Sequence, residues 1–234
     1  MASGIKREPF TVVVPTMWKY PPFLDFIQDL VDFELVGEVI IHNNNVAETP
    51  NHPVLNHSKV RHYAHPQNIF VNPVFNHGVR TAQHSRICLM NDDVIFDLRI
   101  FYRVHDILTE NTGIVGICPG LSEFKQIPFE CGATKIVPWT GQHTFGFGCL
   151  MFVHREAYIP IPDTFHLYYG DNWIFDTALR SGRTNYLITD AFYYTPYATT
   201  CRNLPNIDQN LAAERAAFDH AMAEFMNSLK KTNQ

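Results

Sequence analysis

Residues 10–42 read FTVVVPTMWKYPPFLDFIQDLVDFELVGEVIIH, and this stretch decides the fold. FTVVVP at 10–15 is a short β-branched run closed by proline. Phe23, Phe26, Ile27, Leu30 and Val31 then recur at helical spacing, and EVIIH at 38–42 is a second apolar run. Continuously apolar strands separated by an amphipathic helix indicate parallel strands buried on both faces, so the chain opens as βαβ. Working outward, VRHYA at 60–64 predicts a strand, 73–85 a helix and RICLM at 86–90 another strand. Helical spacing resumes over Leu98, Phe101, Tyr102, His105 and Leu108, and GIVGIC at 113–118 predicts a fifth strand. To this point the pattern is a doubly wound α/β fold with a mostly parallel central sheet.

From Pro119 to Pro162 prolines and glycines are frequent and periodicity weakens; only GCLMFVH at 148–154 reads as a strand. This half is expected to build a substrate wall. Asp171–Ser181 predicts a helix, YLIT at 186–189 a strand, and 207–231 a C-terminal helix carrying Leu211, Phe218, Met222, Phe225, Met226 and Leu229 at helical intervals. That helix is expected to pack on its own domain, the alternative being a contact with a partner or a second copy in a homodimer. No repeat or linker divides the chain, so 1–234 reads as one domain.

The 234 residues, 46% apolar and 18% charged, suit one folded core and exclude the disordered class. No apolar run approaches the roughly 18 residues of a spanning helix, and Lys6, Arg7, Glu8, Pro9 and Pro15 break any secretory segment. A soluble, cytoplasmic protein without membrane partners is expected. Five scattered cysteines without a C-x-x-C pair suggest neither a disulfide framework nor a cysteine zinc site. The net charge of −5 argues against a globally basic nucleic-acid binder. Yet Thr49–Met90 contains no acid, while Lys59, Arg61, Arg80, Arg86 and six histidines fall within it. Such a stretch either turns positive potential toward a phosphate-bearing ligand or is a polar surface whose acids lie elsewhere.

Ligands of open α/β sheets bind beyond the carboxyl ends of the strands. Three polar strand ends therefore share one rim: Pro15-Thr16, Asn43-Asn44-Asn45 and Asn91-Asp92-Asp93. Adjacent carboxylates in a cleft repel one another unless a cation or strong donors intervene. Hard oxygens with open positions suit Mg²⁺ or Mn²⁺, bound together with substrate phosphates; an Asp pair alone also suits a turn or a helix cap. WTGQHTFGF at 139–147 offers stackable aromatics with His143, so Trp139, His143 and Phe147 are candidates for an acceptor site, or for core aromatics with loop glycines. No G-x-x-x-x-G-K, G-x-S-x-G or H-E-x-x-H pattern occurs.

LMNDDV at 89–94 and YYGDNWIFDTALRSG at 168–182, about 80 residues apart, together resemble the GT-A glycosyltransferases, especially the family-2-like group. PTMWKY, NIFVNP, PWTGQHTFGFGCLMF and YYGDNWIFD resemble, in order, motifs of small enzymes of this kind from tailed phages. The resemblance implies a GT-A-like fold with a nucleotide-sugar half at about 10–118 and an acceptor half at about 119–200. It implies a nucleotide-sugar donor, a UDP-sugar foremost, and inverting transfer to a hydroxyl. Pro15, Thr16, Asn43, Asn44, Asn91 and Asp92 would border the nucleotide, with Arg80 or Arg86 at the phosphates. Asp93, with Asp92, would hold Mn²⁺ or Mg²⁺; Asp171, or else Asp176, would be the base, with Asn172 in the acceptor site. The acceptor implied is a hydroxymethylated base of phage DNA in the host cytoplasm, or a glycan. Two features depart from the family pattern: Asn172 stands where the base commonly falls, and 191–200 lacks the late histidine that often joins the metal. They keep two alternatives open, a sugar-phosphate nucleotidyltransferase and an inactive binding module.

Overall fold

The computed structural model describes residues 7–117, 135–143, 146–191, 193–196 and 207–232. Its first half follows the alternation of the sequence: β1 (Phe10–Thr16), α1 (Phe23–Asp32), β2 (Val36–Asn43), β3 (Val60–Ala64), α2 (Val71–Thr81) and β4 (Arg86–Met90). Next come β5 (Ile95–Phe96), α3 (Ile100–His105), β6 (Thr112–Ile117), β7 (Lys135–Trp139) and β8 (Leu150–His154). The chain continues with α4 (Gly170–Arg180), β9 (Thr184–Asp190), β10 (Tyr193–Tyr194) and α5 (Ile207–Thr232).

Eight strands form one sheet in the order β3-β2-β1-β4-β8-β6-β9-β7. β3, β2, β1 and β4 run parallel, as do β6 and β9. The sheet is mixed, because β8 lies antiparallel between β4 and β6 and β7 runs antiparallel to β9. The β5–β10 pair forms a separate two-stranded ribbon. Three short strands, β5, β7 and β10, thus lie in segments whose sequence shows no strand pattern.

All seven residues of β1 are buried, and alternate side chains enter different cores. Val12 and Val14 pack with Phe26, Ile27 and Leu30 of α1 and with Phe101 of α3. Val13 packs with Val74, Phe75 and Val79 of α2, in the core that also holds Trp173, Ile174 and Phe175 of α4 and Phe218 and Met222 of α5. Period-two burial on both faces explains the unbroken apolar runs, and α5 packs on its own domain. Glu38 of β2 is buried, but its carboxylate accepts from Thr11 Oγ1 at 2.7 Å, Arg61 Nη1 at 2.7 Å and the Gln83 amide at 2.8 Å. A buried charge is tolerated when its lone pairs are occupied in this way.

Helix α2 approaches β1 so closely that a Cβ at Gly78 would lie 2.3 Å from Cγ1 of Val13. Alanine is the better helix former by about 1 kcal/mol, yet overpacking costs about 1–3 kcal/mol. Gly78→Ala is therefore expected to lower stability in urea unfolding despite its higher helix propensity.

Among the described residues no helix is long and apolar enough to cross a membrane. Cys88 is a buried free thiol, and Cys118, Cys131 and Cys201 lie outside the described residues.

Candidate active site

A cleft of about 580 Å³ opens at the carboxyl ends of the central strands. The end of β1 and the turn after β4 meet there: Thr16 Oγ1 donates to Asp92 Oδ2 at 2.6 Å, and the Met17 amide reaches the same oxygen at 3.3 Å. The Asn91 amide donates to the Cys149 carbonyl at 3.0 Å, tying this turn to the chain entering β8. Asp92 and Asp93 are 8% and 6% exposed, and both line the cleft. Burial first, and then the neighbouring Asp93, push the Asp92 carboxyl up to about 6, against the pull of Thr16 and the Met17 amide. A buried carboxyl pair under this strain fits a divalent cation, which would relieve both burial and repulsion. The described residues hold no complete cage of three or more His, Cys, Asp or Glu. Asp92 and Asp93 match the two-carboxylate donor set of Mg²⁺ or Mn²⁺ sites completed by phosphates.

The β2 end supplies Asn44, whose Oδ1 accepts from the Ile69 amide at 3.2 Å and whose Nδ2 lies 3.5 Å from the Phe70 carbonyl. It thereby holds Phe70 on the cleft wall at φ 65°, ψ −172°, a backbone region otherwise left to glycine. Opposite, the 165–169 loop is held from two sides. Asn72 Nδ2 donates to the carbonyls of Phe165 and Tyr168 at 3.2 and 3.0 Å. From α5, the Glu214 carboxylate accepts the amides of His166, Leu167 and Tyr168 at 3.0, 3.1 and 2.6 Å. The loop ends at Tyr169, left-handed at φ 58°, which turns the chain into α4 and brings Asp171 to the cleft.

Asp171 stands in the first turn of α4. Its Oδ2 accepts from the Gly148 amide at 3.1 Å and lies 3.0 Å from His143 Nε2. Burial works to raise its pKa, but His143 and the backbone amides of Asn172 and Asp171 outweigh burial and hold the carboxyl below its ordinary value. The carboxylate is thus the resting form at neutral pH.

Of the residues singled out from the sequence, Pro15, Thr16, Asn44, Asn91, Asp92, Asp93, His143, Asp171 and Asn172 line this one cleft. Six others lie outside its lining. Asn43 is turned inward, donating to Thr49 Oγ1 at 2.5 Å and accepting from the Asn45 amide at 2.8 Å. Arg80 is exposed in the last turn of α2, nine residues or about 14 Å along the axis from the cleft-lining Val71. Trp139 ends β7 and donates to the Gln142 carbonyl at 2.9 Å. Phe147 is fully buried against Phe175, at 5.3 Å and 86°. Arg86, at the far end of β4 from Asp92, pairs with Glu8. Asp176 is off the cleft, since five residues rotate a helix by about 500° and leave it about 140° from Asp171; burial raises its pKa. Residues 192 and 197–200 lie outside the described residues, and of the rest of the 191–200 stretch Thr195 reaches the cleft.

Asn68, Phe70, Asn72, Tyr168 and Tyr169 also line the cleft and were not singled out. They lie in NIFVNP and YYGDNWIFD, whose asparagines and aromatics have no strand or helix period to mark them.

The acid-free stretch is not a basic display. Lys59 Nζ donates to the Val31 carbonyl at 2.6 Å, Arg61 serves Glu38, and Arg86 serves Glu8. His42 sits between His65 and His77, with ring nitrogens 2.8 and 3.1 Å apart, and stacks on Tyr63 at 5.0 Å. Burial, then His77 and His65, push the His42 pKa from 6.5 down to about 3. Burial also lowers His62, His65 and His77. The unfolded chain takes up the His42 proton near pH 6.5 and the folded one near 3, so stability is full above 6.5 and drains as pH falls between these values. Urea unfolding is expected to show lower stability at pH 5 than at pH 7, with a smaller difference in His42→Gln.

No protein-family model matches the chain, and no curated protein matches it by sequence. Its architecture is nevertheless shared with solved structures of GT-A-type glycosyltransferases. The crystal structure of S. aureus TarS 1-349 superposes with a TM-score of 0.52 at 15% identity, covering 94% of this chain and 71% of that one. GalNAc-T7, crystallised with UDP, GalNAc and Mn²⁺, gives a TM-score of 0.53 at 8% identity, covering 82% of this chain and 44% of that one. The fold is therefore GT-A-like: α/β, with a large central sheet and a C-terminal helix.

Proposed function

We propose that this chain is a glycosyltransferase moving a sugar from a nucleotide-sugar, foremost a UDP-sugar, to a hydroxyl acceptor with inversion. The observation that carries the reading is the convergence of Asp92-Asp93, from the end of β4, and Asp171, from the start of α4, on one cleft at the strand ends. The UDP, GalNAc and Mn²⁺ of the GalNAc-T7 structure support a donor and metal of this kind. Asp93 and Asp92 would hold Mn²⁺ or Mg²⁺, which supplies Lewis-acid neutralisation of the departing diphosphate. Among the described residues no Lys or Arg lines the cleft.

Thr16 and the Met17 amide hold one Asp92 oxygen, fixing the carboxyl on the wall beside which Pro15, Asn44 and Asn91 border the nucleoside. Asp171, kept ionised, takes the acceptor's proton as the acceptor oxygen attacks the anomeric carbon. The bond to the diphosphate breaks with its electron pair leaving on phosphate, and direct displacement inverts the centre. Asn172 and His143 would border the acceptor. A glycan hydroxyl is the acceptor proposed in preference to a modified DNA base, because Lys59, Arg61 and Arg86 are engaged by partners within the fold, while Arg80 of that stretch is exposed.

The test is incubation with a panel of UDP-sugars, Mn²⁺ and simple glycosides, followed by mass spectrometry. One added sugar, lost with EDTA, is the expected result. Pyrophosphate release from UTP and a sugar 1-phosphate, without transfer, would instead establish a nucleotidyltransferase.

A further inference from the structure

His143 lies beyond β7, its ring boxed between Phe147 at 5.4 Å and 58° and Phe175 at 5.5 Å and 90°. Both phenylalanines are fully buried, so the imidazole has little room to turn. Its Nε2 is buried 3.0 Å from Asp171 Oδ2, yet the two are not aligned well enough for a full hydrogen bond in the free protein. A buried ring nitrogen is costly without a partner, and at 3.0 Å His143 already holds the Asp171 carboxyl below its ordinary value. On its other side Oδ2 accepts the Gly148 amide at 3.1 Å. A Cβ at 148 would come within 2.7 Å of Oδ2, so only glycine admits this approach.

We propose that His143 is the positioning residue for Asp171: with Gly148 it fixes Oδ2, leaving Oδ1 to take the proton of the acceptor hydroxyl. This rests on the reading of Asp171 as the base. The acceptor's proton moves to Oδ1 as its oxygen bonds to the anomeric carbon, and His143 keeps its own Nε2 proton throughout. Asp176 of α4 also bears on His143, and Arg180 bears on Asp176; Cys149, Asp92 and Asp93 line the same cleft.

His143→Phe keeps a flat ring between Phe147 and Phe175 and removes both nitrogens, while His143→Gln restores an N–H donor. The ¹³C carboxyl signal of Asp171, assigned by its loss in Asp171→Asn, is followed against pH in each protein without donor or acceptor, with circular dichroism reporting the fold. The midpoint is expected to rise by about one pH unit or more in His143→Phe and to return most of the way in His143→Gln. With a UDP-sugar and glycoside pair that is turned over, kcat is expected to fall about 100-fold in His143→Phe at unchanged donor KM, and to recover to within about tenfold in His143→Gln. An Asp171 midpoint identical in all three folded proteins would overturn the proposal, as would equal kcat losses in the two variants. A midpoint that moves in a chain transferring no sugar would sustain the pairing and remove the reading of Asp171 as base.

Discussion

Asp93→Asn is expected to lower sugar transfer by about 1,000-fold or more, because it removes the carboxylate proposed to hold the cation against the departing diphosphate. The fold should survive. Asp93 adds to the forces that raise the Asp92 pKa, so its neutralisation relieves repulsion between two buried carboxyls. Without metal the variant should melt no lower than the wild type, as expected where a functional site is held at the expense of stability. Addition of Mn²⁺ should raise the melting temperature of the wild type and leave that of the variant unchanged. Equal stabilisation of both would place the cation elsewhere.

Asp171→Asn is expected to lower kcat by about 100- to 10,000-fold, the range for loss of a general base, with donor affinity unchanged because the substitution does not touch the Asp92-Asp93 wall. Its carboxyl lies below the ordinary value. As a base it works when deprotonated, so its contribution holds through the neutral range and fails only at acid pH below the ordinary carboxylate range. Asp92, raised to about 6, titrates earlier, and protons compete with the cation for it. The rate is therefore expected to fall below about pH 6 at limiting Mn²⁺, and this limb should move to lower pH at saturating Mn²⁺. A limb near 6 that ignores the Mn²⁺ concentration would reassign it away from Asp92.

The βαβ opening was legible because β1 is buried on both faces, so that FTVVVP carries no polar alternation. The Asp92-Asp93 pair was legible because it directly follows the apolar run of β4, and Asp171 because it opens a helix. What failed was anything decided by tertiary contact. β7 and the β5–β10 ribbon are short, and nothing in their sequence marks the partners that hold them. Phe147 reads as either an acceptor-site or a core aromatic beside glycines; its ring lies within 2.4 Å of where a Cβ at Gly116 would stand, sealed in the core. Of the two readings of the basic stretch, the pairs favour acids lying elsewhere, because Arg61 answers Glu38 from 23 positions earlier and Arg86 answers Glu8 from 78 positions earlier. Charge along the sequence says nothing of such pairing. Phe70 was invisible because its strained backbone, just before α2, is held by Asn44 from beyond the end of β2.

The central claim is that Asp93, with Asp92, holds a divalent cation that in turn holds a nucleotide-sugar diphosphate. It is tested most directly by calorimetric titration of UDP into the wild-type protein with Mn²⁺ and with EDTA, and into Asp93→Asn with Mn²⁺. Binding that is about tenfold or more tighter with Mn²⁺ in the wild type, and lost in the variant, is the predicted result. UDP binding of equal strength in all three titrations would contradict it.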